Sequence, residues 1–384
     1  MAALQGVKVL EFAGLAPVPY AGMILADFGA SVTRIDRVKQ TGLEVMDRLG
    51  RGKRSAAIDL RSAKGVEIVK RLSQNSDVLI EPFRPGVMEK LGLGPEILMK
   101  DNPRLIYARV TGFGQQGPLS TMSGHDINYA GISGTLSMIG RRGEKPIPPL
   151  NILADFAGGG LMCDLGIMMA LFERNKSGKG QVVDASMVNG VAYLSSFVHK
   201  TSEVGLWSGE RGTNLLDSGA PFYDTYLTAD GQYVAVGALE AKFFKILLKE
   251  LSLEEEFPNQ LDMSDWPKMR KRFSEIFRSK TRQEWSDIFD GKDACVTPVL
   301  GLSEATKHPH NLANDAFLQN SDGTCEPTPA PKLSRTPGKP RDTEQPKPGQ
   351  HTREVLQECG YSLASICELE ESGVIYCGKL KSSL

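Results

Sequence analysis

Residues 6–37 read GVKVLEFAGLAPVPYAGMILADFGASVTRIDR. The apolar run around Val7–Phe12 predicts a buried strand, Tyr20–Phe28 has helical spacing, and Gly29 suits the end of that helix. Val32–Ile35 reads as a second strand. A strand–helix–strand unit favours a parallel sheet. Further strands are predicted at Asp77–Ile80 and Leu105–Val110, with a helix at Val66–Leu72 before the first of them. The first turn lacks Gly-x-Gly-x-x-Gly and carries Pro17 and Pro19 instead. A nicotinamide-binding reading is therefore poorly supported, although Asp36 stands where a ribose-binding acid would.

Working outward, residues 151–173 read NILADFAGGGLMCDLGIMMALFE, a short apolar run, Asp155, and a long helix to about Glu173. A turn at Ser177-Gly178-Lys179-Gly180 leads to a strand at Gln181–Ser186 and a helix at Met187–His199. The character then changes. Phe222–Thr228 and Gln232–Val236 predict a hairpin around Asp230-Gly231, followed by helices from near Glu240 and over Trp266–Phe277. Glu326–Gly349 is rich in proline and lysine, a linker or an extended surface arm, and His351–Ile375 recovers helical periodicity and packs back on the first domain. The expected fold class is α/β, a Rossmann-like parallel-sheet large domain with a smaller α+β domain. Residues 1–200 form the first part of the large domain, 201–220 a linker, 221–305 the small domain, and 306–384 a linker and C-terminal return.

A chain of 384 residues suggests two domains. A net charge of −1 argues against nucleic acid as the main ligand. No apolar run approaches the roughly 18 residues of a membrane span, so none is expected. The six cysteines form no Cys-x-x-Cys pair, so neither a disulfide framework nor a zinc site is indicated, no metal is expected, and a reducing compartment fits. No secretory signal is expected, since Glu11 interrupts the N-terminal apolar run. The terminal Lys381-Ser382-Ser383-Leu384 resembles the peroxisomal Ser-Lys-Leu signal, with Ser383 where a basic residue is expected.

Three groups carry candidate chemistry. Residues 124–134, GHDINYAGISG, set His125, one of five histidines, beside Asp126 among glycines. Histidine titrates near working pH and suits a proton carrier, although a partly buried histidine satisfied by its neighbours is the commoner case. Asp155 opens a helix, where an acid ordinarily caps backbone N–H groups, and Glu240 opens another after a strand. Arg37, Lys53, Arg54, Arg84 and Lys90 are ordinary surface charges taken singly, yet Arg37 directly follows a strand and Arg51-Gly52-Lys53-Arg54 is compact. The carboxyl ends of parallel strands often receive phosphates.

Several long stretches resemble one family: VLEFAGLAP (9–17), DFGASVTRIDR (27–37), EPFRPGVMEKLGLGP (81–95), GHDINY (124–129), PLNILADFAGGG (149–160), GKGQVVDASM (178–187) and DGQYVAVGALE (230–240). The chain resembles the family III CoA-transferases over most of residues 6–300, and within them the branch of racemases acting on α-methylacyl-CoA thioesters. The resemblance implies an interlocked homodimer and a 2-methyl-branched acyl-CoA substrate, with no cofactor beyond the CoA that is part of that substrate. It implies that His125 and Asp155 are the two acid/base groups, with Glu240 of the partner subunit supporting His125. The backbone N–H of Asp126 is the candidate enolate donor, and Asn151 is a candidate to orient Asp155 or a nearby water. Arg37 is then expected near the adenine and phosphate end, Ile58, Asp59, Leu60 and Arg61 beside the adenine, and Arg84 and Lys90 near phosphates. Gly124 and Gly131 are expected to permit close backbone approach to the thioester, Tyr129 to be among the substrate-binding residues, and Met187 to suit the acyl pocket, although filling a core gap is the commoner role of methionine. The family also implies branched-chain fatty acid and bile acid intermediate metabolism, in peroxisome and mitochondrion. Departures are modest: Val18 and Ser218 stand where glycine is common, and Lys90 where some relatives carry arginine.

A CoA-transferase with Asp155 as nucleophile is the competing reading, since one fold and one CoA site serve both reactions. His125 distinguishes them, because a transferase nucleophile needs no second proton carrier. A non-catalytic acyl-CoA-binding protein would tolerate the loss of either group, and both are present.

Overall fold

The computed structural model describes residues 2–39, 47–320, 322–340 and 344–378. The peroxisome-like tail at 381–384 lies outside the described residues. The chain divides into two units, one made of residues 1–133, 149–194 and 318–384, the other of 134–148 and 195–317. Residues 134–148 thus group with the second unit although they lie inside the stretch 1–200.

The first unit begins with β1 (Lys8–Phe12), α1 (Pro17–Asp27) and β2 (Ser31–Asp36). Helix α1 starts three residues before the expected Tyr20 because Pro17 and Pro19 occupy its first turn, where a missing N–H costs nothing. Then follow β3 (Arg54–Ile58), α2 (Ala63–Gln74), β4 (Val78–Glu81), α3 (Val87–Lys90), α4 (Pro95–Asp101), β5 (Ile106–Thr111) and α5 (Asp126–Ile132). A π-helix over Ile152–Leu161 runs straight into α6 (Met162–Ser177), and β6 (Val182–Ser186) and α7 (Met187–Leu194) complete this half. The predicted helix Met187–His199 is broken at Ser195, and its second part is α8 (Ser196–Ser202) of the other unit.

The second unit continues with the hairpin β7 (Tyr223–Leu227) and β8 (Tyr233–Gly237), α9 (Ala241–Glu250), α10 (Trp266–Phe277) and α11 (Arg282–Phe289). Strand β9 (Val296–Pro298) pairs antiparallel with β8. Phe222, Phe244, Phe273, Phe277 and Trp285 fill its core. Short helices α12 (Leu302–Ala305) and α13 (Pro309–Ala313) and strands β10 (Phe317–Gln319) and β11 (Cys325–Pro327) follow. The proline-rich stretch is an extended arm on the first unit, where the Lys339 N–H donates to the Asp27 carbonyl and the Gln345 side chain accepts from the Gly50 N–H. Helices α14 (Thr352–Glu358) and α15 (Leu363–Glu371) and strand β12 (Ile375–Tyr376) close the chain on that unit, as the periodicity predicts.

The large sheet has the order β12-β3-β2-β1-β4-β5-β6, all parallel except β12. Alternate side chains feed two cores. Val9, Val32, Ile80 and Ala108 face α1, α6 and α7, while Leu10, Ile35, Leu79 and Tyr107 face α2, α14 and α15. Both faces are covered, which is why these strands read as unbroken apolar runs. The strand order reverses between β1 and β4, and a crevice beyond the carboxyl ends at such a point is where open α/β sheets bind ligands.

Two expectations change here. The continuous helix Ile152–Ser177 has 26 residues and is apolar enough, by length and composition, to cross a bilayer. Ala154, Cys163, Ile167 and Ala170 are buried against the sheet, so its inner face is core. The basic cluster at 51–54 is spent internally rather than offered to phosphate. Arg51 pairs with Asp27 at 2.6 Å, Arg54 with Glu358 at 2.6 Å, and the fully buried Lys53 with the fully buried Glu11 at 2.7 Å. Burial pushes the Glu11 carboxyl up to about 7 against the pull of Lys53.

Candidate active site

Two helix starts meet at the candidate site. His125 is the N-cap of α5, its backbone N–H donating to the Asn128 side chain at 3.1 Å. Its side chain is exposed, so it is not a satisfied core histidine. Asp155 sits in the first turn of the π-helix and is 5% exposed. π-Helical turns are rare and concentrate at functional sites. This one begins with Asn151 in the left-handed region at φ 60°. The Phe156 N–H reaches back five residues to the Asn151 carbonyl at 3.2 Å.

The Asp126 carboxylate joins the two starts. It is 2% exposed, and one of its oxygens accepts the backbone N–H of Ala154 at 2.6 Å and of Asp155 at 3.0 Å. Asp126 was expected to act only through its own N–H. That N–H lies in the first turn of α5, where a helix has no internal acceptor for it. The side chain meanwhile ties α5 to the turn that carries Asp155. An acid beside His125 was the only signal of this in the sequence, and nothing local pointed 28 residues ahead.

Asn151 donates its amide to the Asp155 carboxylate at 2.7 Å. Burial pushes the Asp155 carboxyl above the usual carboxylate range. The Asn151 amide pulls it back, the Asp126 charge adds to the rise, and His125 lies close enough to oppose it. A carboxyl held up in this way is a better proton acceptor once ionised, which suits a group that both removes and returns a proton.

Tyr129 and Gly124 pack against each other. The Tyr129 hydroxyl donates to the Gly124 carbonyl, and its ring stands edge-on to Phe113 at 5.1 Å. A Cβ at Gly124 would come within 2.7 Å of that ring, and one at Gly112 within 2.0 Å. Gly124 therefore makes room for Tyr129, and Tyr129 braces the His125 loop from inside. Its hydroxyl is pushed up to about 12, by burial first and then by the Asp155 charge. Met187 is 5% exposed and belongs to the first core, the commoner role of methionine.

The remaining first-unit residues follow the carboxyl ends of parallel strands. Arg37 follows β2. Ile58 ends β3, with Asp59, Leu60 and Arg61 after it, and Arg84 follows β4. Arg61 is held by the Asp59 carboxylate at 2.9 Å and 3.0 Å. Lys90 ends α3 and is exposed. Glu240 is in the second unit as the exposed N-cap of α9, and its charge acts on the Cys295 thiol. Among the described residues, no group of three or more His, Cys, Asp or Glu side chains is arranged to hold a metal ion.

Opposite pH shifts follow from these contacts. Asn151→Gly keeps the left-handed backbone but removes the donor to ionised Asp155, so the Asp155 carboxyl rises further. Asp126→Asn removes the charge that adds to the rise, so the carboxyl falls. The titration of the Asp155 carboxyl, followed by its carboxylate infrared absorption, should move to higher pH in the first variant and to lower pH in the second. Shifts in the same direction would contradict this electrostatic picture.

The chain matches the profile of CoA-transferase family III over residues 4–352, and it belongs to that family. It is 56% identical to the alpha-methylacyl-CoA racemase of Mus musculus over 382 residues, covering 99% of this chain and 100% of the relative. It is 55% identical to the alpha-methylacyl-CoA racemase of Homo sapiens, with 100% of both chains covered. Its fold is similar to the crystal structure of a CAIB/BAIF family protein from Brucella suis, with TM-score 0.81 and 25% identity over 93% of this chain and 99% of the other.

Proposed function

We propose that this chain is a racemase that interconverts (2R)- and (2S)-2-methylacyl-CoA thioesters by removing and returning the α-proton. The observation that carries the reading is the pairing of an exposed imidazole, His125, with a buried carboxyl of raised proton affinity, Asp155, beside one site. Full-length identity above one half to relatives described as alpha-methylacyl-CoA racemases supports it.

One carrier takes the α-proton, the thioester oxygen gains enolate charge, and the other carrier delivers a proton to the opposite face. A placed acid or base contributes roughly 10²–10⁴-fold. The Asp126 N–H is the proposed enolate donor, and such a donor contributes about 3–4 kcal/mol. Arg37, the segment Ile58–Arg61, Arg84 and Lys90 are the proposed CoA contacts. CoA is part of the substrate, and the reading assigns no further cofactor.

The proposal includes a homodimer in which Glu240 of the partner subunit supports His125. A stripe on α6 and the turn before it favours a partner: Leu161, Leu165, Met169 and Phe172 lie on one helix face and are 44–65% exposed. Peroxisome and mitochondrion are the proposed compartments, and branched-chain fatty acid and bile acid intermediates the proposed substrates' context. The absence of any disulfide among the six cysteines fits a reducing compartment.

The reading is tested by holding 2-methylacyl-CoA in D2O with no acceptor acid and following α-deuterium by mass spectrometry. Incorporation is expected. Label that appears only when a second carboxylate is added would favour the transferase.

A further inference from the structure

Arg109 is buried in the middle of β5, 6% exposed, and has no part in the chemistry above. It stands in register with Glu81, the last residue of β4. Its guanidinium holds two points of the chain at once. Nε donates to Glu81 Oε1 at 2.8 Å, while Nη1 and Nη2 reach Glu89 Oε1 and Oε2 at 2.8 Å and 3.3 Å. The other Glu81 oxygen accepts the Phe83 N–H at 2.6 Å.

The segment between these two points carries Arg84, and Lys90 follows directly after it. Both side chains are exposed, and neither makes a hydrogen bond or ion pair among the described residues. The backbone beneath them is fixed. Met88 is fully buried, and the Phe83 ring stands edge-on to Phe12 at 6.0 Å. Pro82 lies so near Gly14 that a Cβ there would come within 2.7 Å of it. Two cations are thus offered from a pinned segment that follows the carboxyl end of β4, where the strand order reverses.

We propose that Arg109 is a positioning residue for CoA. By holding Glu81 and Glu89 on one planar fork, it presents Arg84 and Lys90 to the phosphates of the nucleotide end. The inference rests on the reading of the substrate as a CoA thioester. A fork is needed because two carboxylates in different directions must be held in one plane, which a lysine ammonium does with less geometric definition. Cations ordered before the ligand arrives lose less freedom when they bind it.

The test compares two substrates with the same 2-methylacyl group, one on CoA and one on pantetheine, which has the thioester and arm but not the nucleotide end. Arg109→Lys should raise KM for the CoA thioester about tenfold with kcat within about twofold, while kcat/KM for the pantetheine thioester changes far less. Glu89→Gln, at the half-exposed end of the clamp, should show the same pattern at about threefold and decides the matter if Arg109→Lys fails to fold. An equal fall with both substrates would mean that Arg109 only supports the fold, and would overturn the proposal. Arg84→Met is the reference. If it raises KM for the CoA thioester and the clamp variants do not, the inference alone fails. If Arg84→Met itself leaves KM unchanged, the CoA reading of this segment is wrong and the inference falls with it.

Discussion

His125→Ala should abolish interconversion of the two enantiomers while leaving some α-deuterium exchange with one of them. The expected loss is on the order of 10²–10⁴ in rate for the face that loses its carrier. Asp155, still seated in its π-turn, can remove and replace a proton on its own face without inversion. Asp155→Asn should show the reverse preference. The amide keeps the shape of the side chain and can still take part in the Asn151 contact, so the turn should survive. Circular dichroism would establish folding, and chiral analysis with mass spectrometry would separate exchange from inversion. Near wild-type racemisation in both folded variants would remove the two-carrier assignment. Equal loss of exchange from both enantiomers would mean that the groups act as a coupled unit and that the faces are wrongly assigned.

Gly190→Ala should destabilise the protein, against the sign that helix propensity alone predicts. Alanine in α7 would gain about 1 kcal/mol over glycine in an isolated helix. In this fold a Cβ at Gly190 would lie 1.9 Å from the Gly158 carbonyl oxygen, an atom of the π-helix backbone that has no side-chain freedom to yield. Overpacking of this kind costs typically 1–3 kcal/mol, occasionally more, so the net effect should be a loss. Helix α7 and the π-helix would have to part, and Asp155 would move with its turn. Gly159→Ala is the comparison. Its nearest side-chain neighbour is the flexible Met187 at 3.0 Å, although the Ala154 carbonyl and Pro17 also stand at 3.2 Å, so a smaller loss is expected. Urea unfolding with exchange activity measured on the same samples reads both effects. Wild-type stability and activity in Gly190→Ala would show that the close approach is not required.

The parallel sheet was readable because its strands are buried on both faces. Val7–Phe12, Val32–Ile35 and Leu105–Val110 all proved to lie in β1, β2 and β5 or at their edges. β3 was not, since Arg54-Ser55-Ala56-Ala57-Ile58 has one β-branched residue and follows a charged cluster. Those charges looked like ligand contacts because a sequence does not show that Lys53 is fully buried against Glu11. The π-helix was invisible for a different reason. Periodicity of apolar residues cannot separate an i→i+5 turn from an ordinary one; this one opens on a left-handed Asn151 and packs Gly158 against Gly190. The glycine run at 158–160 stood in a quoted motif, yet its purpose depended on the close approach of α7 at Gly158 and Gly159 and of α1 at Gly159 and Gly160. His125 and Asp155 stood out through the family resemblance more than through spacing. The Asp126 carboxylate and the Arg109 clamp are long-range contacts with no local pattern, formed only when the strands and helix starts come together.

The central claim is that the chain moves a proton at the α-carbon between two faces. It is met most directly by incubating each pure enantiomer of a 2-methylacyl-CoA with the wild-type protein in D2O, free of any acceptor acid. Configuration and α-deuterium are followed together from the first turnovers. The account predicts that either enantiomer yields the other, that the inverted product carries deuterium at the α-carbon, and that both runs converge on one mixture. Retained configuration without label, with CoA passing to a second carboxylic acid once one is supplied, would contradict it.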